Sequence, residues 1–354
     1  FFGYTGKRNT DGVNNLGFRT WQKFPYRKAK DEFVIGTFGG SFAQQLIDDN
    51  DAVKTLNYLI FAAVQNKGYT KITHINLSES AWRQPQQHHA FVHYLKDVDL
   101  AITIDGFNEV VSIDNHLAIN YPIEFPNSGI WLPLLKSTFD ANRIKKMAKI
   151  FASYESSERS GRWLEHSAVR VSMVPHLFWH LQLKRNLTQV AALRKELGEG
   201  AQWENYNVTP ETEEEKSKMI EDYFASYEQW VSNAHALAQA NGKSSFHFIQ
   251  PNQYVKLSKE FSEEEQTQFL SNEKLGAAVV ASYPRLDQMV DKLSENGVRI
   301  YSLKDVFKDV KRTVYRDDCC HIGPYGNQIV ARAIAHKILE SGVLGPARPH
   351  ALGE

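Results

Sequence analysis

Cysteine is almost missing from this chain: of 354 residues only Cys319 and Cys320 carry a thiol, and they are neighbours. Adjacent cysteines bridge each other only with strain, so no disulfide framework holds the fold. An excess of charge is missing as well. Forty-one Lys and Arg balance forty-one Asp and Glu, which removes any global electrostatic case for nucleic acid or an anionic membrane surface. Long apolar runs are lacking, and the longest, around Leu56 to Val64, is too short and interrupted to cross a bilayer. There is no internal repeat and no low-complexity tract. No secretory signal opens the sequence, yet it begins at Phe1 rather than Met, which predicts a processed or trimmed N-terminus. What remains is enough chain for one large domain or two smaller ones, with ample material for a core.

Within that chain, short apolar runs alternate with helical patterns. Residues 1–30 are rich in Gly, Asn, Lys, Arg and aromatics without a period and read as an extended arm. Phe33 to Phe38 is an apolar run ending in glycines, which suits a buried parallel strand. Lys71 to Leu77, Leu100 to Asp105, Ser245 to Ile249 and Val298 to Leu303 read as four more strands. Helices are expected over about Asp51 to Gln65, Gln84 to Leu95, Leu275 to Glu295 and Tyr325 to Leu339, with Ser262 to Glu265 a capping box opening another. This is the alternation of a parallel α/β sheet.

From Val110 to Arg170 the regularity lapses, with Pro122, Pro126 and Pro133 among aromatics and then a basic helix near Asn142 to Tyr154. That stretch reads as an insertion over the site, because open α/β sheets carry function beyond the strand C-termini. Long helices follow over about 176–241. The second is expected to be capped by Thr209 with Pro210 in its first turn. Its stripe of Tyr223, Phe224, Tyr227, Trp230 and Val231 reads as core rather than a ligand box. Residues 31–342 are expected to be one domain with this elaborated middle, a separate helical cap being the alternative, and 343–354 a flexible tail.

Three distant segments carry chemistry. Ser41 follows Gly39-Gly40 at the end of the first strand, Asn108 lies in Gly106-Phe107-Asn108-Glu109 after the third, and Asp318-Cys319-Cys320-His321 precedes the last helix. A serine hydroxyl needs a base to take its proton, the base needs a carboxylate to fix its tautomer, and the oxyanion needs preorganised donors. Each segment has a bland reading. A Gly-rich turn can cradle phosphate, though Gly36 to Ser41 matches neither the P-loop nor the dinucleotide fingerprint. An asparagine can simply make a turn, and Asp318 with His321 can be a surface pair. Together the segments favour catalysis, because a parallel sheet brings strand-end segments to one crevice.

In this order and spacing, Ser41, Gly106-Phe107-Asn108 and Asp318 with His321 resemble the SGNH (GDSL-like) hydrolases. The blocks of that family place serine after the first strand, glycine after the second, Gly-x-Asn after the third and Asp-x-x-His before the last helix. Asn14 to Arg19 is similar to the lead-in of bacterial envelope-associated members. Gly40 departs from the pattern by standing where the family has an acid, and Glu109 by standing where aspartate is commoner. Ala81 stands at the second-block glycine, keeping the N–H donor but adding a Cβ.

The resemblance implies a flavodoxin-like three-layer α/β/α sandwich with a five-stranded parallel sheet in order 2-1-3-4-5. It implies a serine esterase with Ser41 as nucleophile, His321 as base and Asp318 as its orienter, with Asp317 competing for that last role. Ser41, Ala81 and Asn108 would form the oxyanion hole, and Gly40, Phe42, Trp82, Phe107 and Glu109 would bind substrate. The expected partner is a small-molecule or carbohydrate ester, with no cofactor, metal or nucleic acid; the sequence is silent on oligomeric state. O-acyl transfer to an envelope or secreted polysaccharide is the first alternative, and a weakly active glycan- or lipid-binding relative the second. A periplasmic, secreted or envelope location is expected, with membrane association through a segment preceding Phe1.

Other candidates carry less. His88, His89 and His93 share a helix, and the i, i+4 pair could hold a metal, but no zinc-protease pattern accompanies them and a solvated face is the simpler reading. Cys319 and Cys320 read as small side chains packed beneath the site rather than as redox or metal groups.

Overall fold

The structure is a computed structural model that describes residues 12–117, 121–126, 141–164, 173–198, 210 and 212–345. Strands β1 (Glu32–Gly39), β2 (Lys71–Asn76), β3 (Leu100–Asp105), β4 (Ser244–Ile249) and β5 (Ile300–Ser302) pair in parallel in the order β2-β1-β3-β4-β5. The fold is the α/β arrangement and strand order expected from the sequence. Every residue of β1 is buried, as befits a strand near the middle of a sheet covered on both faces. Its alternation sends Phe33 and Ile35 to one core, and Val34 and Phe38 to another.

Helices α1 (Ser41–Asp48), α2 (Asn50–Asn66) and α11 (Pro324–Glu340) cover the first face, with Leu56, Ile60, Val330 and Ile334 packed against β1, β3 and β4. The second face is covered by α3 (Gln86–Tyr94), α8 (Glu213–Ala240) and α10 (Glu273–Glu295). Short helices α4 (Phe107–Val111), α5 (Ile113–Leu117) and α9 (Glu263–Gln268) turn the chain at the sheet edge and over the loops. Burying one such Leu, Ile or Phe contributes about 1.5–3 kcal/mol.

The arm is tied down by its own asparagines. The Asn14 carboxamide accepts from the N–H groups of Leu16 and Phe18, and Asn15 pairs reciprocally with the backbone of Phe24. These bonds turn the chain so that Phe18 enters the second core fully buried, edge-on to Trp82.

Two boundaries differ from expectation. Helix α8 is capped by Thr212, whose hydroxyl accepts from Glu215 N–H while the Glu215 carboxylate accepts from Thr212 N–H. Pro210 therefore precedes the helix, and Thr209 lies outside the described residues. The basic helix near Asn142 is longer, running over Ala141–Leu164 as α6. Residues 127–140, including Trp131 and Pro133, and the tail beyond 345 also lie outside the described residues.

Internal contacts divide the chain into two compact units, one of Phe1–Asn115, Ile123–Pro126 and Pro210–Glu354, the other of His116–Pro122 and Asn127–Thr209. The first holds the sheet. The second holds α6 and α7 (Met173–Gly198), which run antiparallel: Trp179 bonds to Ser157, Asn186 to Ser153 and Ser157, and Glu196 pairs with Lys146.

Candidate active site

At the end of β1 the chain passes so close to β3 that side chains are excluded. A Cβ on Gly39 would lie 2.2 Å from the Ile104 carbonyl oxygen, and φ there is +151°. A Cβ on Gly40 would lie 2.3 Å from Asn108 Nδ2 and 3.1 Å from the Trp82 carbonyl oxygen. The glycine pair thus sets Ser41 and Asn108 side by side. Ser41 is the first residue of α1, where N–H groups are left without intrahelical partners at the positive end of the helix dipole.

Asn108 sits in α4, just past Gly106, whose φ of +110° turns the chain out of β3. Its Nδ2 donates to the Trp82 carbonyl at 2.7 Å. One amide hydrogen is fixed by that bond, and the second makes no hydrogen bond with the described residues. On the other side of Trp82, Ala81 has φ of +59°, the left-handed region that favours glycine.

The loop carrying His321 is a tight hairpin. Tyr315 and Ile322 form an antiparallel bridge, Arg316 N–H donates to the His321 carbonyl, and Gly323 N–H donates to the Val314 carbonyl. Inside it, Asp317 Oδ1 accepts from the N–H groups of Cys319, Cys320 and His321 at 3.0, 3.0 and 3.1 Å. Asp317 Oδ2 meets His321 Nδ1 at 2.5 Å, and His321 Nε2 meets Ser41 Oγ at 2.8 Å, across 280 residues of sequence. The partner of His321 is therefore Asp317 and not Asp318. The Asp318 carboxylate instead accepts from Asn272 Nδ2 at 3.4 Å, and its carbonyl accepts from the Tyr254 hydroxyl. The reason is local: one Asp317 oxygen caps three successive N–H groups, which turns the other onto the imidazole four residues on. Burial alone would raise the Asp317 pKa, but the hydrogen bond and charge of His321 and those backbone donors bring it down to about 2.

Residues after β4 brace this loop, a role their sequence did not mark, Glu265 reading only as part of a capping box. Asn252 Nδ2 donates to the Cys319 carbonyl and Gln253 Nε2 to the Asp317 carbonyl. The fully buried Glu265 accepts from the N–H groups of Val314 and Tyr315 and pairs with the equally buried Lys259.

A polar network lies beneath Asn108. Asp105 accepts from the Tyr227 hydroxyl, from Gln84 Nε2 at 3.1 Å, and meets His247 Nε2 at 2.7 Å. Glu109 accepts from Gly106 N–H at 2.8 Å, Gln84 N–H at 3.0 Å and Gln87 Nε2 at 3.1 Å. One carboxyl thus joins the β3 turn to the loop after Ala81. Burial, together with the charge of Asp105, pushes its pKa up to about 8 against the pull of the backbone donors.

Several residues expected to bind substrate face elsewhere. Phe42, Trp82 and Phe107 are buried in three different cores, and Glu109 is fully buried. Trp82 meets Asn108 through its backbone carbonyl, and Gly40 lies against the Asn108 amide where a side chain would not fit. Neighbours of a functional residue point away from it because successive side chains on a helix or strand diverge.

Cys319, Cys320 and His321 place three donor atoms within 4.8 Å of one another. A metal there would require thiolate, and burial pushes the Cys320 thiol well above its ordinary range, with Cys319 adding to the rise. It would also require an imidazole nitrogen, and both are engaged. These residues fit a metal poorly. His89 and His93 are exposed on α3 and belong to no donor cluster among the described residues. A polar cleft of about 450 Å³, lined by Arg19, Trp21, Asp48 and His74, touches none of Ser41, Asn108 and His321.

The arrangement can move a proton from Ser41 Oγ to an imidazole whose second nitrogen is held by a carboxylate, beside amide donors fixed in place. No protein-family model matches the chain, and no match is found among curated proteins.

Proposed function

We propose that this chain is a serine esterase of the SGNH type, acting through an acyl-serine intermediate. The observation that carries the reading is the unbroken hydrogen-bond chain Ser41–His321–Asp317 between the first strand and the last helix. The left-handed backbone at Ala81 adds support, since it is the geometry that makes glycine the natural residue of the second block. In this mechanism His321 Nε2 takes the Ser41 proton as Oγ attacks an ester carbonyl. Asp317 holds Nδ1 protonated and stabilises the imidazolium. The oxyanion is met by the Ser41 N–H, the free Asn108 amide hydrogen and the Ala81 N–H. His321 passes its proton to the leaving alcohol, then activates water to free the acid.

The test is covalent labelling with a fluorophosphonate, mapped by mass spectrometry, alongside turnover of a short p-nitrophenyl ester. Label on Ser41 that disappears in Ser41→Ala and slows in His321→Ala is the expected result. Label on another residue, or undiminished turnover by Ser41→Ala, removes the assignment.

A further inference from the structure

The antiparallel pair α6–α7 is packed at one end and bare at the other. Among the described residues its buried apolar cluster, Met147, Ile150, Val190 and Leu193, lies toward the far end of the pair. At the end where α6 finishes and α7 begins, Trp163, Met173, Val174, Leu177, Phe178 and Leu181 are 54–83 % exposed. The first turns of α7 are rich in apolar residues interrupted by His176, His180 and Gln182; Trp179 bonds to α6, while Leu177, Phe178 and Leu181 stay exposed, an apolar patch that requires cover. An open cleft of about 560 Å³ runs between the helices there, lined by Trp163, Leu164, Phe178 and Trp179 among others.

Charge indicates what covers this end. The two helices carry ten Lys and Arg against three Glu in a chain whose net charge is zero, and toward the exposed end Arg159, Arg162, Lys184 and Arg185 stand against Glu155 and Glu158. Exposed Arg159 lies one turn before Trp163, and exposed Lys184 and Arg185 lie one turn past Leu181. An apolar tip backed by cations at helical spacing is the arrangement that seats in a bilayer interface, the rings and aliphatic chains at the acyl boundary and the cations on the headgroups. A second copy would set two basic hairpins against each other. Nucleic acid would leave the aliphatic Met173, Val174, Leu177 and Leu181 without use. Among the described residues no helix is long and apolar enough to cross a membrane, so the contact would lie in the plane of the surface. We propose that the bare end of the α6–α7 pair docks on an anionic lipid bilayer. The inference does not depend on the esterase reading.

The experiment is co-sedimentation of the full chain with vesicles of phosphatidylcholine alone or mixed equally with phosphatidylglycerol. Wild type should partition onto the mixed vesicles roughly tenfold or more above the neutral ones, with the advantage shrinking as salt is added. Leu177→Glu with Phe178→Glu should abolish partition to both. Lys184→Glu with Arg185→Glu should remove the preference for anionic lipid, while helical circular dichroism stays at the wild-type level. Failure of wild type to bind either vesicle, equal binding by wild type and both variants, or a dimer that the Leu177 and Phe178 changes split would each overturn the proposal.

Discussion

The serine side and the histidine side of the site are positioned by opposite means. On the serine side space is made by leaving atoms out: Gly39 and Gly40 let β1 approach the Ile104 carbonyl and the Asn108 amide to distances no Cβ would permit. On the histidine side position comes from added bonds. Asp317 alone accepts four, and Gln253, Asn252 and Glu265 hold the loop from outside. The first arrangement should fail when an atom is added, the second when a hydrogen bond is taken away.

The largest effect expected is on the histidine side. In Asp317→Asn one amide must serve three N–H donors and the imidazole, and whichever way it turns, donors face donors or the imidazole loses its anionic partner. Turnover should fall by about 10³–10⁴-fold, whereas Asp318→Asn should stay within about threefold of wild type. The reverse ranking would return the orienting role to Asp318. A stability signature accompanies it. The Asp317 pKa falls from its ordinary 3.8 to about 2 on folding, so the unfolded chain binds more protons between those values. Its stabilisation is then complete above about 3.8 and lost as pH falls toward 2. Acid unfolding of Asp317→Asn should lack that step.

Next comes the serine side. Gly40→Ala places a methyl 2.3 Å from Asn108 Nδ2, so the amide must move off the Trp82 carbonyl. Turnover should drop by about 10²–10³-fold, the cost of one oxyanion donor, with phosphonate labelling of Ser41 slowed and still complete. If displacement of the amide is the cause, adding Gly40→Ala to Asn108→Ala should cost much less than in wild type, because the group it strikes is gone. Additive losses would place the harm elsewhere, at the Trp82 carbonyl or in β1.

The two sides were unequally legible in the sequence. The parallel α/β sheet and the placing of Ser41 and Asn108 at strand ends follow from local patterns, apolar runs with glycines at their ends and the alternation of strand with helix, whereas the strand order and the role of His321 came with the resemblance. Asp317 over Asp318 depends on which carboxylate caps the N–H groups of 319–321, a property of the loop backbone that a three-residue offset does not encode. Phe42, Trp82 and Phe107 adjoin functional residues in sequence but their side chains turn into cores, so adjacency misled. Glu109 showed as a departure from a motif and as an expected substrate contact, since its partners Gln84 and Gln87 come from another segment. The balanced total of charge concealed the basic α6–α7 pair, because a sum over the chain says nothing of where charges sit.

Glu109 is the exception that sharpens the contrast, an added bond set beneath the side built by omission. Glu109→Ala leaves three buried donors unmet and should cost about 3–5 kcal/mol in denaturant unfolding. Its folded pKa of about 8 exceeds the ordinary 4.5. Between those values the native chain holds a proton that the unfolded chain has lost, so stability declines as pH rises, from its full value below about 4.5. Glu109→Gln cannot ionise, and its melting temperature should fall less than that of wild type between pH 5 and 8. Parallel curves would show the carboxyl to be charged throughout.

The smallest effect concerns Ala81, the one position on the serine side where an atom is present that the backbone disfavours. Its φ of +59° costs a non-glycine residue about 1 kcal/mol. Ala81→Gly removes that strain but frees the unfolded chain, so the two terms nearly cancel and net stability should change by less than about 1 kcal/mol. Turnover is the sharper readout. Without the Cβ the N–H at 81 is more open to an oxyanion, and kcat should rise by about two- to fivefold, well short of what a whole donor contributes. A fall in kcat would mean that the methyl group positions the Trp82 carbonyl, and through it Asn108, so that the serine side too relies on an added atom.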